Sequence, residues 1–169
     1  MNQRIASRIA NSERMEDIVV GTLLELRNVA RARASHSCFT EAELDALFDV
    51  GARHFAQGDW EDALGMFGLV SMFRPVEPSC LCAQAKCMKM MKDFNGASDL
   101  FMLAWKLDPD APEPAMHAVE CLLHAHKKSC AIALLETLMS SHQLPWADPD
   151  LQRKAEAWMS FLAPEKKDD

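Results

Sequence analysis

Alanine recurs in this chain at an interval of 34 residues, at Ala63, Ala97 and Ala131. A large apolar residue follows each alanine by four positions, in turn Phe67, Phe101 and Leu135. Residues four apart share one face of a helix, and a small side chain beside a large one lets two antiparallel helices approach closely. Pro75 and Pro109 follow the first two alanines, and proline ends a helix because it lacks a backbone donor. The interval therefore predicts a repeated pair of antiparallel helices.

A period of 34 residues with this internal pattern is typical of tetratricopeptide repeats, which stack into a curved solenoid. In this register the repeats begin at Leu44, Pro78 and Pro112. The third repeat departs from the pattern at Lys128, where an aromatic residue is expected, and at Gln143, where proline is expected. Terminal repeats are usually atypical. We therefore predict an all-α fold in which three tetratricopeptide repeats form a curved α-solenoid.

Further helices are predicted on either side of the repeats. The stretch from Ser12 to about Val29 has helical periodicity. Its mostly apolar stripe consists of Met15, Ile18, Val19, Thr22, Leu23 and Leu26. Thr40 and Glu43 form a capping box that begins a helix, and Asp148 before Pro149 begins a last helix, which would cap the solenoid. The predicted domains are residues 1–37 (N-terminal arm and helix), 38–163 (repeats with the capping helix) and 164–169 (charged tail).

The charge and hydropathy of the chain argue against nucleic-acid and membrane partners. The net charge is −7, and residues 1–35 hold six arginines against four acids, so the excess of acid lies in the repeats. An acidic body disfavours nucleic acid as a partner. No apolar run is long enough to span a membrane, and no signal peptide is recognisable. We therefore expect a cytoplasmic protein that does not bind membranes directly.

The six cysteines are more typical of small apolar core residues than of disulfides in such a protein. The group Cys80, Cys82 and Cys87 is the one hint of a metal site. However, residues two apart on a helix point in different directions, and the chain has no C-x-x-C pair. We therefore expect reduced cysteines, no metal site and no cofactor.

Three motifs resemble one family. The segment LFDVGARHFAQGDWEDA at residues 47–63 resembles the first repeat of the class II chaperones of bacterial type III secretion. The segment HAVECLL at residues 117–123 resembles a recurring H-A-x-E-C-L/Y motif of that family. The segment GTLLEL at residues 21–26 resembles the G-T-L-x-x-L of the family's N-terminal helix. The motifs come in the family's order, between about residues 15 and 162, and generic tetratricopeptide proteins lack the last two.

The resemblance implies a function and a set of partners. Members of the family bind the two hydrophobic translocator proteins of a type III secretion system and keep them soluble and secretion-competent in the cytoplasm. A short extended segment near the translocator's N-terminus lies in the concave groove. Some members also act with a transcriptional regulator. Several form homodimers through the N-terminal helix, and the residues of this chain that would do so are Ile18, Val19, Thr22, Leu23 and Leu26.

In such a solenoid the first helix of each repeat lines the concave face, at roughly the second, fifth, ninth and twelfth positions. The residues predicted to form the peptide-binding groove are Phe48, Ala52, Phe55, Cys82, Lys86, Lys89, Met116, Glu120 and Leu123. The same positions also hold Asp45, Ser79 and Glu113. The apolar residues would form pockets, and the two lysines would hold backbone carbonyls or an acid of the ligand. An alternative is that Phe48 and Phe55 only pack the core between helices.

Two other functions compete with a translocator chaperone. An enzyme would use His117, Glu120 and Cys121, but no nucleophile with a base and an orienting group at a loop or helix N-terminus supports it. A polar pair that ties adjacent helices explains His117 and Glu120 more simply. We therefore predict a binding protein without catalysis. The second competitor is a generic repeat scaffold that binds another secretion-apparatus or regulatory protein.

Overall fold

The computed structural model describes residues 38–140 and 149–162, together with Gly21, Glu25, Asn28 and Val29. The described residues form seven complete helices and no strand, which confirms the predicted all-α fold. The helices are α1 (Glu41–Gln57), α2 (Trp60–Phe73), α3 (Pro78–Met90), α4 (Phe94–Leu107), α5 (Glu113–His124), α6 (Lys128–Ser140) and α7 (Pro149–Leu162). None of them has the length and apolar character needed to cross a bilayer.

The helices begin where the local sequence provides a start signal. At α1, the backbone N–H of Thr40 donates to Glu43 Oε2 at 2.7 Å, and the backbone N–H of Glu43 donates to Thr40 Oγ1 at 3.3 Å, which confirms the capping box. Helix α7 begins at Pro149, as predicted. Its predicted cap Asp148, most of the N-terminal helix, Gln143 and the tail at 164–169 lie outside the described residues.

The helices pack in sequence order. Each of α1 to α6 contacts the next helix along the chain, and α7 contacts both α6 and α5. The pairs α1–α2, α3–α4 and α5–α6 are therefore the three predicted repeats, and α7 occupies the place of a further first helix. This arrangement brings α1, α3 and α5 to the same side of the solenoid.

The periodic alanines mark the points of closest packing. Ala63, Ala97 and Ala131 are all 0% exposed, and the large residues that follow them are 3% exposed or less. Two groups of buried residues form the core. The smaller core cluster consists of Ala63, Phe67, Ala83 and Cys87. The larger core cluster extends from α3 to α7 and includes Phe101, Met116, Val119, Leu135, Leu138 and Ala155.

The same period appears in the turns within the repeats, where the sequence showed no repeated residue type. Gly58, Lys92 and His126 are spaced 34 apart and have φ of 89°, 66° and 59°. In each case the next residue donates its backbone N–H across the turn to a carbonyl five positions earlier, at 2.9–3.0 Å. A left-handed conformation costs a non-glycine residue about 1 kcal/mol, so hydrogen bonds and packing impose this turn on two of the three repeats.

The cysteine prediction is confirmed for half of the residues concerned. All six cysteines are free, and Cys80, Cys87 and Cys121 are buried as small apolar core residues. Cys82 is half-buried. The prediction is wrong for Cys38 and Cys130, which are both exposed; Cys38 precedes α1, and Cys130 lies in the first turn of α6.

Candidate functional site

The first helices of the three repeats form one surface, which we call the groove face and define by the predicted positions on α1, α3 and α5. Eight of the nine predicted groove residues keep at least part of their side chain exposed. The exception is Met116, which is 2% exposed and packs in the larger core cluster. A side chain buried to that extent cannot contact a ligand without moving the core. We therefore correct the prediction and assign Met116 to the core.

The α1 part of the groove face is apolar. Phe48, Ala52 and Phe55 follow one another at helical spacing, so they lie on one side of α1. Phe48 and Phe55 are half-buried against the smaller core cluster, whereas Ala52 is exposed. The centroid of the Phe48 ring lies 4.9 Å from that of Phe67. Both phenylalanines therefore support the core on one side and leave a partly exposed side on the groove face.

The charge at the start of α1 is neutralised within the protein. Asp45 Oδ1 lies 2.7 Å from an Nη of Arg74, which belongs to the turn between α2 and α3. The same guanidinium donates from Nε to Glu41 Oε2 at 2.9 Å. The acid at this end of the groove face is thus held by a cation, and the next three groove positions are apolar.

Gly51 explains why α2 packs beside this surface rather than over it. A Cβ at Gly51 would lie 2.9 Å from Phe67 Cε1 and 3.1 Å from Met66 Cβ. A Cβ is essentially never found closer than 3.0 Å to a neighbouring atom, so the approach to Phe67 shows that α1 and α2 meet closely at the side of α1 that carries Gly51. Ala52, the next residue, remains on the exposed side.

An ion pair joins α3 to α5 on the groove face. Lys89 Nζ lies 2.8 Å from Glu120 Oε2, and the two side chains are 22% and 28% exposed. The structure therefore brings together two residues that the sequence predicted for the groove separately. A pair with this much solvent access contributes about 1 kcal/mol or less, so it orients the two side chains more than it stabilises the fold.

His117 lies beside this pair without a hydrogen bond to it. Its Nδ1 is 3.7 Å from Glu120 Oε2, too far for a hydrogen bond, and its ring lies 5.1 Å from that of Phe101. Burial and then the Lys89 charge lower the pKa of His117. Burial acts to raise the pKa of Glu120, but the Lys89 hydrogen bond and charge outweigh it and the pKa is lowered. At neutral pH the imidazole is therefore neutral and Glu120 is the anion.

The geometry argues against the enzyme hypothesis. Cys121 is 0% exposed, and burial raises the pKa of its thiol to about 11. Only the thiolate is an effective nucleophile, so Cys121 lacks both the ionisation and the access that the chemistry requires. The polar contact that ties neighbouring first helices is Lys89–Glu120 rather than His117–Glu120.

The remaining predicted residues occupy the α3–α5 part of the groove face. Cys82 and Leu123 are half-buried at the edge of the larger core cluster, and Lys86 is exposed. Burial raises the pKa of the Cys82 thiol, so this side chain behaves as a small apolar group. These residues therefore combine apolar contact area with positive charge.

Lys154 on α7 is a residue that the sequence analysis missed. Its Nζ lies 4.7 Å from the centroid of the Trp158 ring, one turn further along α7. Its charge also acts on His117 and Glu120 of α5. The spacing of Lys154 and Trp158 was visible in the sequence, but the approach of α7 to α5 was not. Helix α7 thus packs against the last repeat and brings a cation near the α5 part of the groove face.

The predicted dimerisation residues Ile18, Val19, Thr22, Leu23 and Leu26 lie outside the described residues. The neighbouring residues that the structure does describe are helical. One of them, Val29, continues the predicted stripe three residues after Leu26, and its side chain is 49% exposed. The dimerisation surface remains a prediction.

Comparison with known proteins identifies the fold. No protein-family model and no curated protein sequence matches the chain. PcrH of Pseudomonas aeruginosa, solved with the chaperone-binding region of PopD, is 20% identical with a TM-score of 0.66, over 74% of this chain and 94% of PcrH. SycD of Yersinia enterocolitica, solved with a peptide of the translocator YopD, is 18% identical with a TM-score of 0.65, over 73% and 94% of the two chains.

A eukaryotic protein shares the same architecture. The Sgt2 tetratricopeptide domain of Aspergillus fumigatus is 16% identical with a TM-score of 0.62, over 75% of this chain and 83% of that domain. SycD has also been solved as an alternative dimer. The TM-scores of these structures establish a shared fold, here a solenoid of tetratricopeptide repeats. Identities of 20% or less do not establish a shared ligand, so the ligand must be argued from this chain's own residues.

Proposed function

We propose that this chain is a class II chaperone of type III secretion. It holds a short extended segment of a hydrophobic translocator along the groove face and keeps that translocator soluble and secretion-competent in the bacterial cytoplasm. It does so by binding alone, without catalysis, cofactor or metal. Its residues for this task are Phe48, Ala52, Phe55, Cys82, Lys86, Lys89, Glu120 and Leu123.

The observation that carries the proposal is the partly exposed apolar row of Phe48, Ala52 and Phe55 on α1. Two large aromatic side chains that are only half-buried leave apolar surface in contact with water, and such surface commonly marks a binding site. In a solenoid of this kind the concave side is the usual binding surface, and we propose that this row lies on it. Two further findings support the proposal: the three sequence motifs, and the fold shared with PcrH and SycD.

The geometry suits an extended peptide better than a folded domain. The first helices lie side by side across the groove face, and the Lys89–Glu120 contact shows how closely α3 and α5 approach. An extended segment would cross them in turn, placing alternate side chains in successive apolar depressions while lysines contact its carbonyls. Covering apolar anchors of the translocator in this way would remove surface through which it aggregates.

We further propose that the N-terminal helix forms a homodimer contact through Ile18, Val19, Thr22, Leu23 and Leu26. The exposure of Val29, which continues this stripe, supports the proposal. A transcriptional regulator is a further partner implied by the family resemblance. The acidic repeats argue against nucleic acid as a direct ligand.

The likeness to the Sgt2 domain favours one second candidate, a repeat scaffold that binds an unrelated peptide. The two candidates differ in what the chain does for its ligand. A chaperone changes the solubility of a whole hydrophobic protein, whereas a scaffold binds a partner that is soluble by itself. The partner's solubility without the chain therefore separates them.

Co-expression tests the proposal. The full chain is produced together with each hydrophobic translocator of its own host, and the soluble and pelleted fractions of the translocator are measured. We expect the translocator to move from the pellet to the soluble fraction and to co-purify with the chain. An unchanged distribution for both translocators would exclude the chaperone function, and co-purification of a partner that is soluble alone would favour the scaffold.

A further inference from the structure

Helix α2 has an apolar surface on the side opposite its buried residues, which are Ala63, Phe67 and Val70. The residues of this surface are three and four positions apart, so they share one face of the helix. We call this surface the α2 outer face, and its residues are Gly65, Gly68, Leu69 and Met72. The side chain of Met72 is 76% exposed. Leu69 is half-buried and belongs to neither core cluster.

The fold does not require the two glycines of the α2 outer face. A Cβ at Gly65 or Gly68 would meet no atom within 4 Å, in contrast to one at Gly51, and neither residue has a positive φ. Glycine within a helix is less stable than alanine, and one common reason for keeping it is the close approach of another molecule or segment to the backbone. These two glycines leave the backbone of α2 open to such an approach.

The later repeats lack this apolar face. The residue 34 positions after Gly65 is Asp99, and the residues 34 and 68 positions after Met72 are Lys106 and Ser140. A side chain needed for the stacking of repeats would recur with the repeats. The α2 outer face is therefore particular to the first repeat.

The N-terminal part of the chain joins the repeats beside this face. The centroid of the Phe39 ring lies 5.1 Å from that of Phe73, the residue after Met72. Residues 30–37 are the whole connection between the N-terminal helix, which reaches Val29, and the start of the repeats. The predicted apolar stripe of that helix is thus tethered near the C-terminal end of α2.

Neither of these two apolar surfaces is covered within one chain where the structure describes them. Val29, which continues the stripe, and Met72 both have exposed side chains. Packing of the N-terminal helix on α2 of its own chain would cover both. A contact between the two surfaces is therefore expected between two copies of the chain.

We infer that the α2 outer face binds the N-terminal helix of a second copy of this chain. The inference rests on the proposed homodimer and names the surface that the stripe contacts. In a two-fold dimer the stripe of each copy lies on the α2 outer face of the other, so the contact forms twice. Large apolar side chains of the stripe, such as Ile18 and Leu23, occupy the space that Gly65 and Gly68 leave open.

Charge complementarity gives the contact a direction. Glu61 and Asp62 are exposed in the first turn of α2, whereas residues 1–35 hold six arginines against four acids. Antiparallel packing of the two helices brings Arg27, at the end of the stripe, to these two acids. Because exposed ion pairs are weak, they orient the helix and the apolar residues supply the affinity.

Light scattering of the full chain over a range of concentrations tests the inference. Met72→Glu should raise the dissociation constant of the dimer at least about tenfold, because it buries an unpaired charge in the contact. The matched control is Met139→Glu on α6, another exposed methionine of a second helix, which should leave the dimer unchanged. Equal dissociation constants for the two variants would overturn the inference.

Gly65→Leu separates a role in the contact from a role in the fold. Leucine favours helix more than glycine does, so in the Leu23→Asp background, where no dimer forms, this change should raise the urea midpoint. In the otherwise unaltered chain it should weaken the dimer, because the added side chain fills the space for the partner helix. An undiminished dimer, or a lowered urea midpoint, would contradict this use of the glycine.

Mixing two variants tests which surfaces meet. Leu23→Asp and Met72→Glu chains, differently tagged, should each be monomers alone. Their mixture should form heterodimers, because the intact stripe of the second variant fits the intact α2 outer face of the first. Co-purification of the two tags no greater than when either variant is mixed with itself would overturn the pairing of stripe with α2.

The other possible contacts give different results. Dissociation by Leu23→Asp but not by Met72→Glu would show that the stripe pairs elsewhere, and the reverse would show that two α2 outer faces meet; either result overturns the inference. A monomeric unaltered chain would contradict both the inference and the proposed homodimer. None of these results affects the chaperone function, which co-expression with the translocators tests separately.

Discussion

At the scale of single residues, the fold depends on where side chains are small. Ala63, Ala97 and Ala131 are fully buried between helices, and a large side chain one turn later fills the space beside each of them. Gly51 plays the same part on α1, where even a methyl group would meet the Phe67 ring. These positions could be predicted from the sequence because the repeat places them at a constant interval.

Gly51→Val should therefore destabilise the protein by about 2 kcal/mol, because the added side chain cannot fit between α1 and the buried Phe67 ring. The matched control is Gly65→Ala on α2, where a Cβ meets nothing within 4 Å. That change should stabilise the helix by up to about 1 kcal/mol. Urea unfolding followed by circular dichroism measures both effects. Equal stability of the two variants would contradict the close contact at Gly51.

Residue chemistry on the groove face was only partly predictable. The repeat positions correctly identified Lys89 and Glu120 as surface residues of first helices, but not that they pair, because pairing depends on how α3 and α5 are set side by side. Met116 follows the same positional rule and is buried, because α5 lies between α4 and α6 with α7 against it. Repeat position alone therefore does not predict exposure on α5, because this helix has neighbours on more sides.

At the scale of helices and turns, the sequence predicted helix starts correctly where the residues of the start themselves determine it. The Thr40–Glu43 capping box and Pro149 mark helix starts that the structure shows. The turns at Lys92 and His126 were not predictable, because neither residue type favours a left-handed conformation. Their conformation follows from the packing of the two helices within each repeat and from the hydrogen bond across the turn, which impose the geometry that Gly58 adopts freely.

The N-terminal helix is the element whose proposed role is dimerisation. Leu23→Asp places a charge in the centre of the predicted apolar stripe, so we expect the dimer to dissociate because burying an unpaired charge is strongly unfavourable. The control is Asn28→Asp, which adds the same charge at an exposed helical position. Light scattering should give the mass of one chain for the first variant and of two chains for the control. An unaltered mass for Leu23→Asp would reject this contact.

At the scale of the whole molecule, the stacking of repeats creates a surface that no single repeat contains. The apolar row comes from α1, the Lys89–Glu120 pair joins α3 to α5, and Lys154 comes from α7. The sequence predicted the solenoid, and the groove positions on α1, α3 and α5 are a prediction from the same 34-residue register. It did not predict that α7 brings Lys154 near α5, because α7 lies outside the repeats and the 34-residue register does not say which of its residues approach α5.

The proposed function depends on that surface being accessible to a peptide. Ala52 is the best place to block it, because it is exposed and lies between Phe48 and Phe55, whereas both phenylalanines also pack against the smaller core cluster. Ala46 is an equally simple exposed residue of α1, about a third of a turn away around the helix. A glutamate at either position should leave the fold intact, and circular dichroism verifies this.

The most direct test measures how much translocator co-purifies with the chain, with Ala52→Glu or with Ala46→Glu after co-expression. We predict that Ala46→Glu retains the translocator as the unaltered chain does. Ala52→Glu should lose it by at least about tenfold, because a buried, unpaired carboxylate against apolar anchors costs more than about 1.4 kcal/mol. Equal recovery of the translocator with both variants would contradict binding on the groove face.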